Sequence, residues 1–221
     1  AHASTEGVAR VLRERGVPCV AGLLLRSELA KLGRVLCCPR RPLVALVGGS
    51  KASTKLATIE RLAGHADAVE LMGGLAATFI VADGGSVGAS RVEDGSVADA
   101  RDLLLRSRAR EEGGEKEEKE EAPPKSSSGG CCGPKKGDDV DGEPPSSKTN
   151  KRKKLASISL PIDAVAAKSL KPEDAAAAVV VPAYRIPEGL SAYDAGPETV
   201  AAIKALVEAA GTVVWNGPAG V

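Results

Sequence analysis

The residues best placed to do chemistry are Lys51 and Lys55, which follow a glycine pair in the run Val47-Gly48-Gly49-Ser50-Lys51-Ala52-Ser53-Thr54-Lys55. Spaced i and i+4, the two ammonium groups share one face of a helical turn and can meet one anion together. Gly48 and Gly49 let the backbone approach a ligand closely, and the unbonded amides at a helix start favour phosphate oxygens. The pattern therefore points to phosphate binding. It is not a Walker A loop, because G-x-x-x-x-G-K-[ST] does not occur in the chain. The competing reading is a plain glycine turn followed by solvated lysines. Two further glycine turns follow strand-like runs: Met72-Gly73-Gly74 after DAVEL, and Asn216-Gly217-Pro218-Ala219-Gly220 after TVVW. Parallel sheets bind ligands at the carboxyl ends of their strands, so the three turns could line one crevice.

Elements able to position those turns are legible around them. Pro42 to Val47 is a nearly unbroken apolar run, as expected of a strand covered on both faces. Behind it Leu56, Ile59, Leu62 and Ala63 recur at helical spacing, with Ser53 or Thr54 available to cap the start. Strands are expected over 67–72 and 78–82, a helix over 97–110, then strands in 158–166 and 177–182. A helix over 197–210 carries Val200, Ile203, Leu206 and Val207 on one stripe, begins at a proline, and is followed by the strand 212–215. Alternating strands and helices imply an α/β fold, a three-layer sandwich with a mainly parallel sheet, in which Val44 and Val213 share that sheet.

Composition narrows the class. Hydrophobic residues make up 43% of the chain, but only Phe79, Tyr184, Tyr193 and Trp215 are aromatic, so the core must be built from small aliphatics. With 30 basic and 29 acidic side chains the net charge is +1, which offers no general field for nucleic acid or an anionic membrane. No apolar run approaches the roughly 20 residues of a membrane span. Cys19, the pair Cys37-Cys38 and the pair Cys131-Cys132 lack metal or redox spacing, which fits a reducing compartment, cytoplasm or plastid stroma. The chain starts without Met, so a missing N-terminal portion, with any targeting peptide, is expected. Residues 111–154, rich in Glu, Lys, Gly, Ser and Pro, hold too little apolar surface to offset ordering and read as a disordered insertion. The run Lys151-Arg152-Lys153-Lys154 within it reads as solvated charge rather than a nucleic-acid patch.

The segments RPLVALVGGSKASTKLATIERL, ELMGGLAATF, VGASRVED, LPIDAVAAKSL, IPEGLSAYDAGPETV and TVVWNGPAGV, in this order, resemble the phosphoglycerate kinase family. The resemblance covers everything except 111–154, and WNGP with GGSK-x-x-x-K is highly specific. It implies a Rossmann-like C-terminal domain of that family over 42–110 and 155–221, with 1–41 as a hinge-proximal segment from the end of a first domain. It further implies phosphoryl transfer between 1,3-bisphosphoglycerate and ADP, with ATP or ADP carried with Mg2+, and a monomeric protein. By position, Gly48, Gly49, Ser50 and Lys51 would lie at the nucleotide phosphates, and Lys55 would neutralise charge on the phosphoryl group in flight. Gly73 and Gly74 would border base and ribose, Asn216, Pro218 and Val221 would form the opposite wall, and Ala192 and Tyr193 would sit beside the adenine.

The chain also departs from the family pattern. Met72 and Leu75 stand in a motif that usually reads G-G-G-M-A, and G-L-S-A-Y-D replaces G-W-M-G-L-D. The methyl of Ala192, where a glycine is usual, is expected to crowd a flat base by about 1–3 kcal/mol. The arginines for the 3-phosphoglycerate-type substrate would precede Ala1, while a further acidic residue and a GGGD-type loop would follow Val221. His2 matches a histidine of the same basic patch. The resulting expectation is a kinase form that turns over little or nothing alone; the alternative is a non-catalytic, degenerate kinase-like protein that binds nucleotide or partners.

Overall fold

A computed structural model describes residues 3–113 and 155–220; Val221, His2 and the sequence expectations for 114–154 lie outside the described residues. A π-helical turn, Ala3–Gly7, leads into α1 (Val8–Glu14) and α2 (Leu23–Cys37). The sheet follows. Strand β1 (Leu43–Val47) is buried along its whole length. It pairs in parallel with β2 (Ala68–Leu71) on one side and with β9 (Thr212–Asn216) on the other, and β2 pairs in parallel with β4 (Ser157–Ser159). The order is β4-β2-β1-β9, and Val44 is in register with Val213, so both lie on the one sheet that the sequence placed them in.

Side chains alternate across β1, which explains its unbroken apolar composition. Leu43, Ala45 and Val47 face Ile59 and Ala63 of α3 (Leu56–Ala63), Leu75 and Phe79 of α4 (Gly74–Ala82), and Ala100, Leu103 and Leu104 of α5 (Asp94–Gly113). Val44 and Leu46 face the other way, with Met72, against Ile203 and Leu206 of α7 (Pro197–Ala209). This makes a three-layer sandwich. Glu70 of β2 alternates onto the α7 face beside Leu46; it is buried, and burial pushes its carboxyl up to about 7.

Four expectations needed correction. Residues 78–82, expected as a strand, belong to helix α4, where seven of the nine residues from Gly74 to Ala82 are buried. A short apolar run buried on all sides carries no period that separates strand from helix. The expected strand region 158–166 breaks at Pro161 into β4 and β5 (Asp163–Ala167), the latter in a separate sheet. That sheet is antiparallel, with β5 flanked by β6 (Val179–Pro182) and β8 (Ser191–Ala195), and the short helix α6 (Pro172–Ala175) falls between β5 and β6 in the chain. It packs Ala164 and Ala166 against Ala77 and Ile80 of α4, beside the short parallel pair β3 (Ser86–Val87) and β7 (Arg185–Ile186). Finally, α3 begins at Leu56 with neither Ser53 nor Thr54 capping it, and α5 runs on to Gly113, three residues into the segment expected to be disordered.

Candidate functional site

The carboxyl ends of β2, β1 and β9 lie side by side, so their three glycine turns meet. Gly48 donates to the Asn216 carbonyl at 2.9 Å, Met72 to the Val47 carbonyl at 2.9 Å, and Leu75 to the Gly49 carbonyl at 2.8 Å. Glycine is required at the contact points. A Cβ on Gly48 would fall 1.9 Å from the Pro218 carbonyl oxygen. Gly73 has φ +69, and a Cβ there would press on the carbonyls of Pro218, Ala219 and Gly49 at 3.1–3.2 Å. Trp215, though largely exposed, fixes the third turn by donating its ring N–H to the Gly217 carbonyl at 2.7 Å.

Between these turns and the antiparallel sheet lies a cavity of about 370 Å³, in the range of small-molecule sites. Of the residues singled out from sequence, Gly49, Ser50, Gly73, Gly74, Ala192, Tyr193 and Pro218 line it. Its inner wall is apolar, from Met72, Ala76, Ala77, Ile80, Val87, Ala164 and Ile186. Gly48 stands behind the lining against Pro218, and Lys51 and Lys55 are outside the lining, at the glycine-turn end. Lys51 is exposed. The Lys55 ammonium is half-buried and donates a short hydrogen bond to the Asn216 side-chain oxygen. It passes Gly49 and Gly217, where added Cβ atoms would lie 3.6 Å from Lys55 Cε and 3.5 Å from Lys55 Nζ.

Sequence reasoning missed Asp163, Ser90, Arg91 and Asp194, all of which line the cavity. Ser90 accepts the Ala192 amide at 3.0 Å and so ties β8 to the loop before α5. Asp163 caps α7: its carboxylate accepts the amides of Glu198 at 3.0 Å and Thr199 at 2.8 Å and the Thr199 hydroxyl at 2.7 Å. The cap residue itself, Gly196, has no side chain to do this, and a Cβ there would lie 2.3 Å from the Asp163 carboxylate. A lone aspartate in an apolar run, with a Gly-Pro-Glu-Thr helix start downstream, was the only signal available.

Burial alone would raise the Asp163 pKa, but the bonds from Thr199 and Glu198 outweigh it and hold the group below its ordinary value of 3.8. Since the folded pKa is depressed, this contribution is present above the unfolded value and is lost as pH falls through the folded one. Asp163→Ala is expected to lower stability by about 2 kcal/mol, the upper range for a lost cap, and Asp163→Asn by less. Urea unfolding at neutral pH measures this, and an unchanged midpoint in Asp163→Ala would show that the cap contributes nothing.

The fold and cavity define an α/β domain with a crevice at the carboxyl ends of a parallel sheet. A family model described as phosphoglycerate kinase matches residues 1–114 and 145–221. The phosphoglycerate kinase of Roseiflexus castenholzii is 37% identical over 221 residues, spanning 100% of this chain and 43% of that protein. That of Gloeobacter violaceus is 37% identical over 229 residues, 44% of its length. The solved phosphoglycerate kinase of Coxiella burnetii superposes with a TM-score of 0.66 at 32% identity, over 91% of this chain and 40% of that one. That of Pyrococcus horikoshii, 20% identical, shares the fold with a TM-score of 0.64 over 99% of this chain and 43% of that one. The chain belongs to the phosphoglycerate kinase family, and it spans less than half the length of these relatives. No helix among the described residues is long and apolar enough to cross a membrane.

Proposed function

We propose that this chain supplies the nucleotide-binding part of a phosphoglycerate kinase, with 42–110 and 155–221 forming the nucleotide domain and 1–41 leading in from the other. The observation that carries this reading is the convergence of three glycine turns on one cavity with two lysines at its glycine-turn end. Gly49, Gly73 and Gly74 line the cavity with backbone rather than side chain, a cradle suited to phosphate and ribose. The apolar inner wall suits a purine base, with Ala192 and Tyr193 at its side.

In the proposed reaction the acyl phosphate of 1,3-bisphosphoglycerate gives up its phosphoryl group. The bond to the acyl oxygen breaks, leaving a carboxylate, and a new bond forms to a terminal oxygen of ADP, giving ATP and 3-phosphoglycerate. Such transfers need positioning and charge neutralisation more than covalent chemistry. Lys51 holds the bound phosphates and Lys55 meets the charge that develops on the migrating group. Magnesium would arrive with the nucleotide phosphates and would add positive charge there.

The experiment is calorimetry of the 221-residue chain with Mg-ADP, beside a coupled assay. Saturable binding with little or no turnover is expected, because the chain spans less than half the length of its relatives. Undetectable binding would favour a non-catalytic, degenerate family member, and turnover equal to a full kinase would refute the expected inactivity.

A further inference from the structure

Glu93 belongs to none of the glycine turns, yet it reaches one of them. Its carboxylate accepts the Ser53 amide at 2.8 Å, across 40 residues of sequence. Its own backbone is held on both sides: its amide donates to the buried Thr78 hydroxyl of α4 at 3.1 Å, and its carbonyl accepts the Ser96 amide of α5 at 2.8 Å. Glu93 is thus a rigid post set between two packed helices.

The turn it reaches lacks a cap of its own. Lys55 precedes α3 without any side-chain capping bond, and the segment is otherwise held by Thr54 donating to the Lys51 carbonyl at 3.1 Å and by Lys55 and Leu56 donating to the Ala52 carbonyl at 2.8 and 3.0 Å. Ser53 lies midway between the two lysines, so fixing its amide fixes the stems of both. Lys51 and Arg91 are the cations whose charge acts on the Glu93 carboxylate. The bond from the Ser53 amide, with those charges, holds the Glu93 pKa below its ordinary value despite the opposing effect of desolvation.

We propose that Glu93 is a positioning residue for the phosphate end of this site: it clasps the Lys51–Lys55 turn from outside and balances the charge of Lys51 and Arg91 until an anion arrives. The proposal rests on the reading of the cavity as a nucleotide site. Its two actions are separable. An acceptor at residue 93 is needed for the clasp, whereas the negative charge opposes the incoming phosphates. Glu93→Ala removes both, and Glu93→Gln keeps the acceptor while removing the charge.

The test combines hydrogen exchange of the Ser53 amide with Mg-ADP calorimetry on the wild-type chain and both variants, taking unchanged β1 exchange as the sign of an intact fold. Glu93→Ala is expected to speed Ser53 exchange at least about tenfold and to raise the Mg-ADP Kd several-fold, the size expected for losing a charge-assisted bond. Glu93→Gln is expected to keep protection within about twofold of wild type and a Kd no higher than wild type. Wild-type exchange in Glu93→Ala would overturn the clasp. Faster exchange with an unchanged Kd would overturn the positioning role while leaving the nucleotide reading intact. Undetectable Mg-ADP binding by the wild-type chain would sink the nucleotide reading, and the positioning role with it.

Discussion

Lys55→Ala, placed in a full-length protein carrying this sequence, is expected to cut turnover by about a thousandfold or more while weakening Mg-ADP binding only about tenfold. The asymmetry follows from where charge appears. A cation that meets the migrating phosphoryl group acts mostly in the transition state, so its loss lowers kcat more than it raises Kd. Lys51→Ala is expected to behave in the opposite way, weakening binding with a smaller loss in kcat. The geometry supports the division: Lys55 is half-buried and held by Asn216 between two glycines, whereas Lys51 is exposed and free to follow a ligand. Steady-state kinetics and calorimetry on both variants, with folding checked by circular dichroism, decide it. Unchanged turnover in Lys55→Ala would show that the family's role for this lysine does not carry over.

Glu70→Gln is expected to stabilise the chain by up to about 3 kcal/mol at pH 8 and to leave stability unchanged at pH 4. The carboxyl is buried on the α7 face of β2, and its pKa rises from 4.5 to about 7 through loss of solvation. Below 4.5 the folded and unfolded chains both carry the proton. As pH rises towards 7 the unfolded chain releases it and the folded chain keeps it, so stability falls, and above 7 the full penalty applies. Glutamine is neutral at every pH and nearly the same size. Urea denaturation of both proteins at the two pH values measures the difference, and equal stability at pH 8 would mean that water reaches Glu70 well enough to remove the penalty.

The parts of the fold legible in the sequence are those whose environment repeats along the chain. Leu43 to Val47 reads as a strand because both faces are covered, and the 56–63 and 197–209 helices read as helices because one stripe of each is apolar. Helix α4 was misread because its mean apolarity is high on all sides, and β8 was missed because Ser191 to Ala195 mixes polar and small residues over a cavity. In the site, glycine turns after strands were visible as local patterns. Asp163, Ser90 and Glu93 were not, because each acts on a partner 35 or more residues away.

By itself the sequence determined the family, through WNGP and GGSK-x-x-x-K in their order, and with it the α/β alternation and the turns at the strand ends. It could do so because strand burial, helix periodicity and glycine tolerance are properties of short segments. Only the tertiary structure decided that the three turns abut, that Asp163 caps a helix whose own cap residue is glycine, and that Glu93 holds the lysine-bearing turn. Those contacts join residues far apart in the chain, and their energies depend on distances of about 3 Å that no local pattern encodes.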